Sequence, residues 1–211
     1  MKNKLKTIAY GLFLIAFVAG CEASHPIPSL PSNATILAFG DSLTYGTGAD
    51  KTQSYPALLA DALSMTVVNS GVPGEISEEG KNRLPEVLTE VQPQLVILCH
   101  GGNDLIRKLN QAQTKNNLID MIETIQASGA QVILVSVPEP SILLSPPAFY
   151  EELAETYQLN LVKNIVSDVL SSPKLKSDPI HPNADGYQMM AQAILEKLAE
   201  SGAVNVTKLS Q

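Results

Sequence analysis

Short apolar runs alternate along the chain with segments of helical periodicity, and this alternation constrains the fold more than any other feature. Strand-like runs occupy residues 35–39, 66–69, 95–99 (LVILC), 131–137 and 159–162. Between and after them, residues 55–63, 76–91, 114–127, 149–157 and 186–200 have the apolar spacing of helices, with Pro85 expected to break or kink the second. The pattern predicts an α/β fold in which a parallel sheet carries helices on both faces.

Polar blocks follow the strand-like runs at the point where each run ends. The carboxyl ends of parallel strands meet at one edge of a sheet, and ligands bind beyond that edge. The side chains of these blocks should therefore lie close together. The four blocks are FGDSLTYG, NSGVPG, GGND and DPIHPN.

The residue types in these blocks indicate nucleophilic catalysis. The hydroxyl of Ser42 is a weak nucleophile without a base, and His181 can serve as that base because imidazole exchanges protons near neutral pH. Asp178, three residues earlier, can fix the imidazole tautomer and stabilise the imidazolium. The backbone N–H groups of Ser42 and Gly71, with the side-chain amide of Asn103, could form an oxyanion hole.

Each block taken alone also has a purely structural interpretation. Asp41 and Ser42 could cap the helix that follows, Gly71 and Gly74 could be turn residues, and Asn103 and Asn183 could be helix caps. His100 could be a core residue, a residue that supports the site, or a direct participant. The four blocks occur in order, each near a strand end, and this favours the catalytic interpretation.

The four blocks resemble those of the SGNH, or GDSL, hydrolases, and the similarity extends over about residues 35–200. The chain is most similar to the small bacterial esterase, thioesterase I, lysophospholipase and arylesterase type. The resemblance implies a three-layer α/β/α flavodoxin-like fold with about five parallel strands in the order 2-1-3-4-5. It also implies a triad of Ser42, Asp178 and His181, an oxyanion hole of Ser42, Gly71 and Asn103, and no cofactor. His100 stands where near relatives are expected to have Leu, so their acyl preference is not carried over.

Three other functions remain open from the residues alone. Asp41, Asn103, Asp178 and His181 are possible ligands of a metal-dependent phosphoesterase, although such sites commonly use several His and the domain has only His100 and His181. A non-catalytic binding lipoprotein would be expected to lack a member of the catalytic set. A polysaccharide O-deacetylase would keep the chemistry and change the substrate. We expect carboxylic ester hydrolysis through an acyl-enzyme on Ser42, without a metal.

The N-terminal segment resembles a lipoprotein signal. Lys2, Lys4 and Lys6 precede a short apolar run at residues 11–19, and VAGC at 18–21 resembles the lipobox in which the Cys becomes the lipidated N-terminus. The alternative is an ordinary cleaved signal that happens to end near a Cys. A third interpretation is a membrane anchor, for which the apolar run is too short. We therefore predict a signal peptide at 1–20, a lipid-anchored Pro/Ser-rich tether at 21–32 and the hydrolase domain at 33–211.

This organisation predicts an exported lipoprotein that lipid on Cys21 attaches to the membrane. In a bacterium with two membranes, the protein would face the periplasm from the inner or the outer membrane. The net charge of −7 and the pI near 4.9 argue against nucleic acid as a partner. The other cysteine, Cys99, ends an apolar run and is expected in the core, so no disulfide is needed. We expect a monomer that binds a small acyl or aryl ester.

A proline-rich apolar segment follows the fourth strand-like run, at residues 138–147. Its position places it near the expected site. We predict that Ile142, Leu143 and Leu144 line an acyl groove. The alternative is that these side chains pack onto the core beneath the loop.

Overall fold

Residues 24–205, which the computed structural model describes, form a five-stranded parallel sheet between two layers of helices. The strand order is β2-β1-β3-β4-β5, as predicted. The strands are β1 (Thr35–Gly40), β2 (Thr66–Gly71), β3 (Leu95–Cys99), β4 (Gln131–Val135) and β5 (Asn160–Val162). In the register of the central strands, Gly40 lies opposite both Gly71 and Cys99.

The helices lie between the strands in sequence, as the alternation predicts. They are α1 (Ser42–Tyr45), α2 (Tyr55–Leu63), α3 (Ser77–Val91), α4 (Gly102–Ile106), α5 (Gln111–Ala127), α6 (Phe149–Tyr157), α7 (Ile165–Ser171) and α8 (Ala184–Glu200), with a 3₁₀ turn at Lys51–Gln53. Helix α3 packs against α5, and α2 packs against α8. This is the α/β/α arrangement that the sequence predicts.

The core lies at the central strands because these are covered on both faces. Every side chain of β3 is completely buried, and so are Ile36 to Phe39 of β1. A parallel sheet covered on both faces needs such continuously apolar strands. Their burial fixes the register, and the register in turn fixes the position of each strand end.

Two details differ from the sequence expectations. Helix α3 runs through Pro85 as one helix, and Leu84 and Leu88 on either side of the proline are both buried in the core. Of the two outcomes predicted at Pro85, the break is therefore wrong, and the kink stays a prediction. Helix α7 was not predicted, since it is short and begins three residues after β5.

The described part of the predicted tether, residues 24–32, is packed against the domain. Ile27 donates its N–H to the Ser201 carbonyl at 2.8 Å, and its side chain is 7% exposed. His25 is half-buried, and the Asn160 amide holds its backbone. The apolar side chain of Ile27 drives this docking, which the Pro/Ser-rich composition does not reveal. Cys21 and the predicted signal peptide lie outside the described residues.

Candidate active site

Ser42 is the first residue of α1 and follows the end of β1 by two positions. The Asp41 carboxylate caps this helix by accepting the Leu43 N–H at 3.0 Å. Gly40 allows the sharp turn, because a Cβ there would lie 2.1 Å from the Cys99 carbonyl oxygen. The cap interpretation of Asp41 is therefore correct, and Ser42, which is half-buried, lies at the strand end as predicted.

Ser42, His181 and Asp178 form a continuous chain of contacts although 139 residues separate the first two. The Ser42 Oγ lies 3.1 Å from His181 Nε2, and His181 Nδ1 lies 2.7 Å from Asp178 Oδ2. A carboxylate only accepts, so Nδ1 carries the proton and the Nε2 lone pair is left to accept from Ser42. This is the tautomer that a general base requires.

The Asp178 carboxylate is itself fixed by its loop. Its Oδ1 accepts the N–H groups of Ile180 at 2.8 Å and His181 at 2.9 Å. Burial raises the pKa of Asp178, but the hydrogen bonds from His181 and Ile180 outweigh burial and hold that pKa below its ordinary value. The side chain is therefore ionised at neutral pH, as a partner of an imidazolium must be.

Asn103 lies in the first turn of α4 and points its amide toward Ser42's neighbours. Its Nδ2 donates to the Glu75 carbonyl at 2.9 Å and to Asp41 Oδ2 at 3.2 Å. Burial is the largest influence on Asp41 and raises its pKa. The contacts bring Asn103 beside the Ser42 turn, as the sequence predicts.

Gly71 does not supply a free donor, and the prediction that it helps to bind an oxyanion conflicts with its contacts. Its N–H donates to Asn69 Oδ1 at 3.0 Å, and a Cβ on Gly71 would lie 2.1 Å from the Tyr45 nitrogen. The reason is that β2 extends through Gly71, which pairs with Gly40. The loop that approaches Asn103 begins only after this residue.

A buried polar cluster of Glu75, Arg83 and His100 lies behind this loop, and the sequence did not reveal it. Arg83 donates to Glu75 from Nε at 2.6 Å and from Nη2 at 2.8 Å. His100 Nδ1 accepts the Gly101 N–H at 2.9 Å, so its Nε2 proton is free to donate to Glu75 at 3.0 Å. His100 is fully buried and is absent from the cleft lining, so its role is to support the loop.

The Glu75 carboxylate is the centre of this cluster. Burial raises its pKa, but hydrogen bonds from His100 and Arg83, together with the Arg83 charge, lower it below its ordinary value. The guanidinium also lies over the Phe39 ring at 4.0 Å. The cluster thereby holds the Glu75 backbone, whose carbonyl orients the Asn103 amide.

An apolar cleft of about 530 Å³ opens beside Ser42 and Asn103. The half-buried Leu144 lines it, Ile142 borders it with a fully exposed side chain, and Leu143 is not part of its lining. The position of Leu144 therefore agrees with the predicted acyl groove, which stays a prediction, whereas the Ile142 and Leu143 side chains are exposed. The remaining apolar lining includes Val137, Val166, Leu170 and Ile180.

Two further features of the described residues bear on function. Between residues 24 and 205, no three or more His, Cys, Asp or Glu side chains are grouped as metal ligands would be. In the same range, none of the helices has both the length and the apolar character needed to cross a membrane.

Comparison with known proteins agrees with the fold and with the family that the sequence resembles. Residues 38–189 match the model of the GDSL-like lipase/acylhydrolase family. The chain is 30% identical over 172 residues to the Escherichia coli K12 protein named thioesterase 1/protease 1/lysophospholipase L1, covering 78% of this chain and 83% of that one. It is also 30% identical over 176 residues to an arylesterase of Vibrio mimicus, covering 78% and 88%.

A solved structure and a more distant relative extend the comparison. The crystal structure of TesA is 30% identical, with a TM-score of 0.70 over 79% of this chain and 99% of that one. An uncharacterised lipoprotein of Bacillus subtilis, YqeF, is 27% identical, over 59% of this chain and 54% of that one. The family match spans most of the domain and includes Ser42, Asp178 and His181. The protein therefore belongs to the GDSL-like lipase/acylhydrolase family and is a serine ester hydrolase.

Proposed function

We propose that Ser42 is the nucleophile and that His181 and Asp178 are its base and the partner of that base. The observation that carries the proposal is the unbroken contact chain from Asp178 through His181 to Ser42 at the mouth of an apolar cleft. As Ser42 Oγ attacks the ester carbonyl, His181 Nε2 takes its proton, and Asp178 stabilises the imidazolium. The same proton then goes to the leaving alcohol, which leaves an acyl group on Ser42. Water completes the reaction by the reverse sequence.

The oxyanion formed at the attacked carbonyl needs donors. The N–H of Ser42 opens α1 and so has no acceptor within the helix. The Asn103 amide is adjacent, and to bind an oxyanion it would give up the longer of its two hydrogen bonds, the one to Asp41 Oδ2 at 3.2 Å. As the third donor we propose Gly74 instead of Gly71. Its φ of +81° turns the loop just before Glu75, whose carbonyl accepts from Asn103. Among the hydrogen bonds of the described residues, none uses the Gly74 N–H.

This assignment can be tested by NMR on a stable phosphonate adduct of Ser42, which mimics the tetrahedral intermediate. The amide proton of Gly74 should shift downfield when the adduct forms. The amide of Gly71, already bonded to Asn69, is the internal control and should change little. The opposite pattern would restore Gly71 as the donor.

The substrate we propose is a carboxylic ester or thioester with an apolar acyl or aryl group. The mainly apolar lining of the cleft supports this class and favours it over an acetylated polysaccharide. The names of the two relatives, a thioesterase and lysophospholipase and an arylesterase, support the same class.

The experiment is a substrate panel of short and long p-nitrophenyl esters, acyl-CoA, lysophospholipid and acetylated sugars. Ser42→Ala should abolish turnover of every substrate that the wild type cleaves. Ser141→Ala is the matched control, because this serine also lines the cleft but has no contact with His181. Retention of turnover by Ser42→Ala would refute the mechanism.

We further propose that the protein is exported and that lipid on Cys21 attaches it to a membrane. The lipobox-like VAGC sequence supports this, and so does the name of the lipoprotein relative YqeF. Mass spectrometry of the protein from membranes should find an acylated Cys21 at the N-terminus. Cys21→Ser should release the protein from the membrane fraction.

A further inference from the structure

The segment that follows the proposed lipid site is fixed to one particular edge of the sheet. The Asn160 side chain, at the first residue of β5, accepts the His25 N–H at 3.0 Å and donates to the His25 carbonyl at 2.7 Å. Ser24 Oγ donates to the carbonyl of Glu200, the last residue of α8, at 3.1 Å. Ser24 and His25 therefore lie at the edge where the strands begin.

The active site lies at the opposite edge, where the strands end. Helix α8 connects the two edges: His181 lies just before its N-terminus, and Glu200, which binds Ser24, ends it. Its 17 residues rise 1.5 Å each, so the helix separates the catalytic end from the docked segment by about 25 Å.

Little chain separates the proposed lipid from this docked segment. Only Glu22 and Ala23 lie between Cys21 and Ser24, and three residue steps span at most about 11 Å. This reach is less than half the length of α8. The acidic net charge also opposes contact of the domain's sides with an anionic bilayer.

We propose that the anchored enzyme stands with the strand-start edge toward the bilayer and the cleft facing away from it. This inference rests on the proposed lipidation of Cys21 and the proposed hydrolysis at Ser42. Its consequence is a substrate class: the enzyme cleaves esters that reach it from the aqueous compartment and does not cleave lipids embedded in the membrane that carries it.

The test uses purified lipidated full-length protein in phosphatidylcholine vesicles that contain lysophosphatidylcholine. A 20-residue Gly/Ser insert between Ala23 and Ser24 makes the link to the lipid long enough for the domain to rotate and bring its cleft toward the bilayer. The insert should leave hydrolysis of p-nitrophenyl butyrate within twofold of wild type and raise hydrolysis of the embedded lysolipid at least fivefold. The same insert after Gln211 is the control and should change neither rate. Equal lysolipid rates with and without the upstream insert would overturn the proposal.

A second measurement reports orientation without relying on activity. Single cysteines for dye attachment can be placed at Gln158, next to the docked segment, and at Ile142, at the cleft, because the native Cys99 is buried. Energy transfer to acceptor-labelled lipid should be strong from position 158 and weak from position 142. Equal transfer from both positions would refute the orientation.

These outcomes can be distinguished from failure of the underlying proposals. If Cys21 carries no lipid, the protein will not sediment with the vesicles, and the orientation proposal fails with it. If the assignment of Ser42 is wrong, p-nitrophenyl butyrate hydrolysis will survive in Ser42→Ala, while the energy transfer from positions 158 and 142 still reports orientation.

Discussion

Replacement of Asp178 tests the role of this carboxylate, because an isosteric and a truncating substitution have different effects on the His181 tautomer. In Asp178→Asn, the amide oxygen can keep the backbone N–H groups of Ile180 and His181, which leaves the NH₂ group facing Nδ1. Nδ1 must then accept, so the proton moves to Nε2. His181 can no longer accept a proton from Ser42. In Asp178→Ala, nothing forces this tautomer.

The size of each effect follows from the geometry. A charge pair about 4 Å apart at an effective dielectric constant of about 20 is worth about 4 kcal/mol, or about three decades in rate. The Asp178 side chain is 46% exposed, and solvent screening therefore reduces its contribution. We expect kcat to fall about 10²-fold in Asp178→Ala. In Asp178→Asn the wrong tautomer should bring the loss to about 10³–10⁴-fold.

The assay is steady-state hydrolysis of p-nitrophenyl butyrate by both variants, with Asp185→Asn as a control. Asp185 is an exposed acidic residue of the first turn of α8, close in sequence to the site but outside its contacts. The KM should change little, since the carboxylate does not line the cleft. If Asp178→Asn is more active than Asp178→Ala, the tautomer argument is incorrect.

Three further predictions concern stability and the cleft. Glu75→Gln leaves the largely buried Arg83 charge without its anionic partner and should lower the free energy of unfolding by about 3 kcal/mol at pH 7, measured by urea denaturation. Because the folded-state pKa of Glu75 lies below its ordinary 4.5, the wild-type advantage should be complete above that pH and shrink as pH falls further. Gly80→Ala places a Cβ 2.3 Å from His100 Nε2 and should lower the free energy of unfolding by about 1–3 kcal/mol. If the double variant Gly80→Ala/His100→Ala lost as much stability as the two single variants together, a direct clash would be contradicted. Leu144→Ala should lower kcat/KM about tenfold for octanoyl relative to acetyl esters. An identical effect of Leu143→Ala would contradict the assignment of Leu144, and not Leu143, to the cleft lining.

The sequence predicts the sheet and its order because the central strands are apolar on both faces and each is followed by a recognisable polar block. It also predicts which side chains meet, since Ser42, Asn103 and His181 all lie at the carboxyl edge. What it cannot predict is where a strand stops when the deciding contact comes from another strand. The pairing of β2 with β1 extends through Gly71, and composition alone does not distinguish this glycine from Gly74.

The buried cluster of Glu75, Arg83 and His100 could not be predicted from the sequence for a related reason. Glu75, Arg83 and His100 come from a loop, from α3 and from the end of β3, and no local spacing links them. His100 stood out only as an unexpected residue type. Its partners depend on how α3 packs over the sheet, which is a tertiary property. The docked segment around Ile27 was missed in the same way, since its partners at Ser201 and Ala203 lie at the far end of the chain.

The central position of β1 has a consequence for the order in which the chain can fold. The first strand in sequence lies between β2 and β3, and β4 and β5 then add outward on one side. Each strand after β1 can therefore pair with an earlier one without displacing any contact already made. His181 joins Ser42 only when the segment leading into α8 arrives, and α8 also supplies the Glu200 carbonyl that binds Ser24. The proposed base thus reaches Ser42 together with the contact that joins the two ends of the described residues, and a protein cut short before His181 should be inactive.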